Sequence, residues 1–173
     1  MAAHGLHLIR RFAGSLRPGG PRAGEVAWAE SHLTDSERVL WRSMPGADRR
    51  HSAAVARRVE AALGAGASRP VLAAALLHDV GKTVSGLGTY GRVVATVSAA
   101  VAGREQAEAW SAARGFAGRV GLYLRHPELG ADELARAGSD PLTVAWAREH
   151  HLPAGRGTVP APVAAALRTA DDD

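Results

Sequence analysis

The sequence predicts an all-α fold in a single compact domain. Apolar residues make up 46% of the 173-residue chain but aromatic residues only 5%, so Ala, Val and Leu must build the core. Alanine-rich stretches with few β-branched runs favour helices over strands. Glycine and proline separate these stretches from one another, as expected for a series of short helices. A chain of this length can bury a core of its own.

The first half of the chain carries recognisable helix starts and stops. Thr34 and Glu37 have the spacing of a capping box, which predicts a helix that ends near residues 44–46. Asp48 is predicted to cap the next helix, which glycines at 64 and 66 end. The residues at helical spacing on that helix are His51, Val55, Arg58 and Val59. Pro70 then begins a helix whose run 71–77 is apolar on every side, which predicts a central, buried helix.

The second half begins with a predicted Gly-rich loop at residues 86–91. Further helices are predicted by the apolar pattern between glycine and proline breakers. Their approximate ranges are 92–102, 105–114, 119–124, 128–137, 142–149 and 163–169. Neither a repeat nor a second domain is apparent.

The N-terminal residues differ from the rest in charge. Arg10, Arg11, Arg17 and Arg22 precede the first acidic residue, Glu25, and account for much of the net charge of +4. Residues 1–24 are therefore predicted to be a basic, flexible tail, and residues 25–173 the helical domain. An amphipathic turn at residues 6–12 that touches an anionic membrane is the alternative for part of this tail. No apolar run is long enough for a transmembrane segment.

The same composition bears on partners and compartment. The chain has no cysteine, which excludes disulfides and thiolate metal sites and is compatible with a cytoplasmic location. Nucleic-acid binding is the weakest reading of the basic tail, because no aromatic residues are interleaved to stack on bases.

Histidines are the most informative polar residues. Of the eight in the chain, five lie within or at the ends of predicted helices beside apolar residues: His51, His78, His126, His150 and His151. His78 and Asp79 end the most apolar helix, where burying such a pair is costly unless a cation compensates. Imidazole and carboxylate ligands suit Zn, Fe, Mn or Ni. Lys82, the only lysine, follows closely. The alternative is a helix C-terminus at which His78 and Asp79 bond to the backbone.

The string His78-Asp79-Val80-Gly81-Lys82 resembles the signature of the HD superfamily of metal-dependent phosphohydrolases. The resemblance implies an HD-type helical domain in which an upstream His, the His-Asp doublet and a distant Asp bind one metal. The matching positions are His51 and Asp171. Without the motif, His51 reads as a half-buried helix residue and Asp171 as part of an acidic C-terminal fringe.

Two more elements are similar to the HD-GYP subgroup, namely residues 125–130 (RHPELG) and 149–151 (EHH). In that subgroup these histidines bind a second metal, which implies His126, His150 and His151 as further ligands with Asp79 as the bridge. Because His150 and His151 point about 100° apart on a helix, one of them could instead be a solvated bystander. Residues 152–160 lack the subgroup's Gly-Tyr-Pro element, which disfavours hydrolysis of a cyclic dinucleotide.

The resemblance implies a phosphohydrolase that acts on a small phosphorylated substrate, such as a nucleotide. It would use one or two divalent ions (Fe, Mn, Zn, Ni or Mg), with Asp79 and Lys82 as catalytic residues. Because Arg92 and Arg125 lie in predicted loops near the motifs, they are further candidates as anchors for phosphate. Two alternatives use the same ligands: a di-iron oxygenase, and a non-catalytic metal-binding scaffold.

Overall fold

The computed structural model describes residues 19–102 and 109–172, which fold into α-helices joined by short connections and contain no strand. The helices are α1 (Ala23–Ser31), α2 (Asp35–Ser43), α3 (Gly46–Leu63), α4 (Arg69–Leu77), α5 (Thr89–Ala102), α6 (Gly115–Leu124), α7 (His126–Arg136), α8 (Pro141–Glu149) and α9 (Ala161–Asp172). Short 3-10 turns lie at Gly64–Gly66, Val80–Ser85 and Trp110–Ala112. The all-α prediction is confirmed.

Helix α2 begins where the sequence predicts. The Glu37 amide donates to Thr34 Oγ1 at 3.3 Å, and the Thr34 amide donates to Glu37 Oε2 at 2.8 Å, which completes the capping box. The prediction for α3 is wrong in one respect. This helix starts at Gly46, so Asp48 is not its cap but lies in its first turn. There the carboxylate pairs with Arg92 of α5, a contact distant in sequence.

Helix α4 is the central helix of the fold, as predicted. Every residue from Val71 to Leu77 is at most 2% exposed. Helices α3 and α8 pack against it, and α9 packs on α3. The main core therefore surrounds α4, and both His78 and Asp79 lie at its C-terminal end.

The region after Asp79 differs from the prediction. Residues 80–85 form a 3-10 turn, Gly86 adopts a left-handed conformation (φ 59°), and α5 begins at Thr89 within the predicted loop. Helices α5 and α6 enclose a small second core around Leu87, Ala95, Val120 and Leu124. Of the helix predicted at 105–114, residues 105–108 lie outside the described part, and 110–112 form a 3-10 turn.

The predicted tail lies mostly outside the described residues, including the segment 6–12. Helix α1 begins at Ala23, two positions before the predicted start of the domain. Among the described helices, none combines the length and the apolar character that crossing a bilayer requires.

Candidate metal centre

Three buried histidines lie where helices end. His78 follows α4, His150 follows α8, and His126 lies at the junction of α6 and α7. In each, Nδ1 is bonded to the carbonyl three residues earlier, at 2.9 Å (Ala75), 2.8 Å (Ala147) and 2.7 Å (Tyr123). A carbonyl only accepts, so Nδ1 carries a hydrogen, and Nε2 keeps its lone pair whenever the ring is neutral. The helix ends thereby fix the tautomer and orientation of all three rings.

These Nε2 atoms surround Asp79, which is 4% exposed. Asp79 Oδ2 lies 3.4 Å from His78 Nε2 and accepts a hydrogen bond from Lys82 Nζ. Asp79 Oδ1 lies 3.5 Å from His126 Nε2 and 3.7 Å from His150 Nε2. One oxygen of the Asp79 carboxylate therefore faces His78, and the other faces His126 and His150.

Helices α3 and α9 complete one side of this cluster. His51 Nε2 lies 2.9 Å from Asp171 Oδ1, although 120 positions separate the two residues. The same Asp171 oxygen lies 3.6 Å from His78 Nε2. The structure thus brings both residues implied by the resemblance to the His78-Asp79 doublet.

His151 completes the other side. Its side chain is exposed, yet its Nε2 lies 3.3 Å from His126 Nε2, and its ring centroid is 4.0 Å from that of His150. His150 and His151, which are consecutive at the end of α8, therefore both face His126. Six of the seven predicted ligands fall into two groups that could each hold a metal ion, with ligand atoms within 4.8 Å of one another: His51, His78 and Asp79; and His126, His150 and His151. The seventh, Asp171, contacts the first group through His51.

Two of the ligand atoms make no hydrogen bond. Among the described residues, the buried His78 Nε2 and His150 Nε2 have no hydrogen-bond partner. A buried polar atom without a partner costs about 1–3 kcal/mol. Both nitrogens point towards carboxylate oxygens 3.4–3.7 Å away, a separation that is too long for a good hydrogen bond. Unpaired imidazole nitrogens that face ionised carboxylates are a donor set that fits a divalent cation.

The charges in the cluster are uneven. Burial opposes ionisation of Asp79, but the Lys82 ammonium and His78 hold the pKa of this carboxyl well below its usual value. Burial also disfavours protonation of His78, but Asp79 and Asp171 raise its pKa to about 10. By contrast, burial lowers the pKa of His126 and, together with His151 and His78, holds that of His150 well below its usual value. In the chain without metal, a proton on His78 compensates the carboxylates.

Two glycines allow the halves of the centre to meet. A Cβ on Gly81 would lie 2.6 Å from Gly130 N and closer still to the His126 carbonyl. A Cβ on Gly130 would lie 2.9 Å from Gly81 N. The turn after Asp79 and the start of α7 therefore touch backbone to backbone, which brings His126 to Asp79. Both glycines belong to the motif strings, but their contact with each other was not predicted.

The loop after His151 is held by residues that the sequence analysis did not single out. The Glu149 carboxylate accepts bonds from the amide and hydroxyl of Thr158, both at 2.7 Å. Arg168 of α9 donates to the Leu152 carbonyl at 3.0 Å. These contacts join residues that are 9 and 16 positions apart, beyond one helical turn, and no motif of the sequence indicates them.

The two arginines predicted to anchor phosphate differ in their surroundings. Arg92 Nη1 is bonded to both Asp48 oxygens at 2.8 and 2.7 Å, and its Nε donates to the Leu87 carbonyl. The Arg92 guanidinium thus holds α3 and α5 together, and its role as a phosphate anchor stays a prediction. Arg125 is exposed beside His126 and makes a long bond of 3.3 Å to Ser111 Oγ.

Comparisons with known proteins leave this site to be interpreted from its own side chains. No protein-family model, no curated protein and no solved structure matches the chain.

Proposed function

We propose that this chain is a metal-dependent phosphohydrolase with a centre for two divalent ions bridged by Asp79. One observation carries the proposal: Nε2 atoms of buried histidines, held by their Nδ1 bonds, converge on both oxygens of one buried carboxylate. A structural helix cap would explain the Nδ1 bonds. It would not explain why His78 and His150 present unpaired nitrogens to the same residue.

The division of ligands follows from the distances. One ion would be held by His51, His78 and Asp171, and the other by His126, His150 and His151. Asp79 contributes one oxygen to each side. Nitrogen and carboxylate ligands in these numbers suit Zn, Fe, Mn or Ni better than Mg, which prefers oxygen ligands.

Phosphate-ester hydrolysis is the reaction that this centre supports best. Two divalent ions, when bound by these residues, would supply a water of lowered pKa and positive charge for the phosphoryl oxygens. Burial lowers the pKa of Lys82, but the Asp79 carboxylate outweighs burial and raises it. The ammonium therefore stays charged next to the candidate ligands. A fixed cation there offsets the negative charge that develops on a phosphoryl group. The resemblance of the motif strings to the HD superfamily supports the same reaction.

The test is hydrolysis by the purified chain after loading with Mn²⁺, Fe²⁺ or Zn²⁺. Substrates are bis(p-nitrophenyl) phosphate and a panel of nucleotides. We expect turnover that a chelator abolishes. Lys82→Met should retain both ions but lose about 10²–10³-fold in kcat, as when one charge-stabilising donor is removed.

His32→Ala is the matched control, because His32 packs edge-on against Trp28 at 4.9 Å, outside the centre. This variant should hydrolyse like the wild type. Metal-loaded protein with no turnover on any phosphate ester contradicts the proposal. Oxygen consumption by the iron-loaded form alone would instead indicate an oxygenase on the same ligands.

A further inference from the structure

Arg58 lies on the same face of α3 as His51. The two residues are seven positions apart, which is about two helical turns. Val55 and Val59 on this face are at most 1% exposed and belong to the main core, together with Leu167 and Ala170 of α9. The face of α3 that supplies a candidate ligand therefore packs against the helix that supplies another.

The contact of Arg58 is specific. Its Nε donates to the Ala170 carbonyl at 2.9 Å. Ala170 is 3% exposed and directly precedes Asp171, whose Oδ1 lies 2.9 Å from His51 Nε2. Arg58 of α3 thus bonds the backbone of Ala170, and His51 of α3 bonds the side chain of the next residue, Asp171.

This arrangement fixes the orientation of Asp171. A carboxylate must approach zinc to about 2.0–2.2 Å, so small displacements of its helix matter. Rotation of α9 by one position would turn Asp171 away by about 100°. Such a rotation would also break the hydrogen bond from Arg58 Nε to the Ala170 carbonyl, so this bond opposes it.

We infer that Arg58 is a positioning residue of the metal centre, which acts through Ala170 to hold Asp171 next to His51. This inference rests on the metal centre of the proposed function, but not on the reaction assigned to it. Arg58 selectively supports the ion bound by His51, His78 and Asp171. The ion at His126, His150 and His151 does not depend on it.

The experiment is a competition titration of the full chain with Zn²⁺ and a chelator, which resolves the two binding steps. Arg58→Met keeps the length of the side chain but removes the donor. We expect one step to weaken about 10–100-fold, the usual effect of losing a group that orients a ligand, and the other step to stay unchanged. Arg58→Lys, which keeps a charged donor of different geometry, should lie between the Met variant and the wild type.

Arg57→Met is the matched control. Arg57 adjoins Arg58 but pairs with Glu60 at 3.0 Å and lies 3.6 Å above the Trp28 ring. Its loss should lower the melting temperature without changing either Zn²⁺ step. If the role of Arg58 were purely structural, its substitution would lower both Zn²⁺ affinities together or leave both unchanged.

The outcomes separate the two proposals. The comparison uses whichever Arg58 variant folds. If neither Zn²⁺ affinity changes, or if both fall by the same factor, the positioning role is overturned. A wild-type chain that binds no Zn²⁺ overturns this inference and the metal centre together. A wild-type chain that binds two ions but hydrolyses no phosphate ester removes only the phosphohydrolase, and the Arg58 comparison remains decisive.

Discussion

Asp79 is the residue that both groups of candidate ligands face. Its oxygens face His78 and Lys82 on one side and His126 and His150 on the other. The sequence identified this residue because a His-Asp doublet ends the most apolar helix of the chain. Which oxygen faces which histidine depends on where α6, α7 and α8 pack, so it could not be predicted from the motif.

Replacing Asp79 by Asn tests the proposed bridging role of its carboxylate. The amide keeps the size of the side chain but removes the charge that His78 and Lys82 share. We expect both Zn²⁺ binding steps to weaken. The metal-free chain should lose about 3–5 kcal/mol of unfolding free energy, because a buried cation loses its partner. Chemical denaturation and chelator competition measure the two effects. Loss of only one ion would contradict a bridging role.

The dependence of metal affinity on pH follows from His78. In the metal-free chain, burial alone would lower the pKa of His78. The carboxylates of Asp79 and Asp171 outweigh burial and raise this pKa to about 10. The folded value lies above the unfolded one, so this group stabilises the metal-free chain fully below the unfolded pKa and loses that effect as the pH rises through the folded one.

A metal ion must displace the His78 proton. Affinity for Zn²⁺ should therefore rise by about tenfold per pH unit between about pH 7 and pH 9, with roughly one proton released at this site. Calorimetry in buffers of different ionisation enthalpy measures that proton. An affinity that does not change over this range would show that His78 is already neutral.

At the scale of the helices, local signals were predictable and contacts between helices were not. The capping box of α2 and the burial of α4 follow from residues close together in sequence. Asp48 was mistaken for a cap, because its partner Arg92 lies 44 positions away. The contact of Glu149 with Thr158 is only nine positions long, but Thr158 lies outside any helix, where no periodic pattern predicts a partner.

The contact between the turn after Asp79 and the start of α7 can be tested with one methyl group. Gly81→Ala would place its Cβ against the His126 carbonyl and Gly130, so the two segments must separate. We expect destabilisation by about 1–3 kcal/mol, as for overpacking, and weaker binding of the ion at His126. Thermal unfolding and Zn²⁺ competition measure both.

Gly88→Ala is the control for this variant. A Cβ at Gly88 meets no atom within 4 Å. It should therefore leave stability and both binding steps nearly unchanged. If Gly81→Ala behaves like Gly88→Ala, the close contact does not hold the two halves together.

At the scale of the whole molecule, the centre joins α3, α4, α8 and α9 with the junction of α6 and α7. A ligand that binds only the folded state stabilises it, by about 2.7 kcal/mol at one hundred times its Kd. For a chain of this size, that corresponds to a rise of roughly 5–10 °C in melting temperature.

Metal removal is therefore predicted to lower the melting temperature of the wild type by an amount of this order. Scanning calorimetry with and without chelator measures it. Asp79→Asn should show little of this difference, whereas His32→Ala should show all of it. A melting temperature that is insensitive to chelator would mean that no ion links these helices.

Anomalous X-ray diffraction from crystals of the zinc-loaded chain tests the central claim most directly. We predict two anomalous peaks on opposite sides of the Asp79 carboxylate. One should be bound by His51, His78 and Asp171, and the other by His126, His150 and His151. Peaks that lie only at surface residues, with His78 Nε2 and His150 Nε2 still unliganded, would contradict the account.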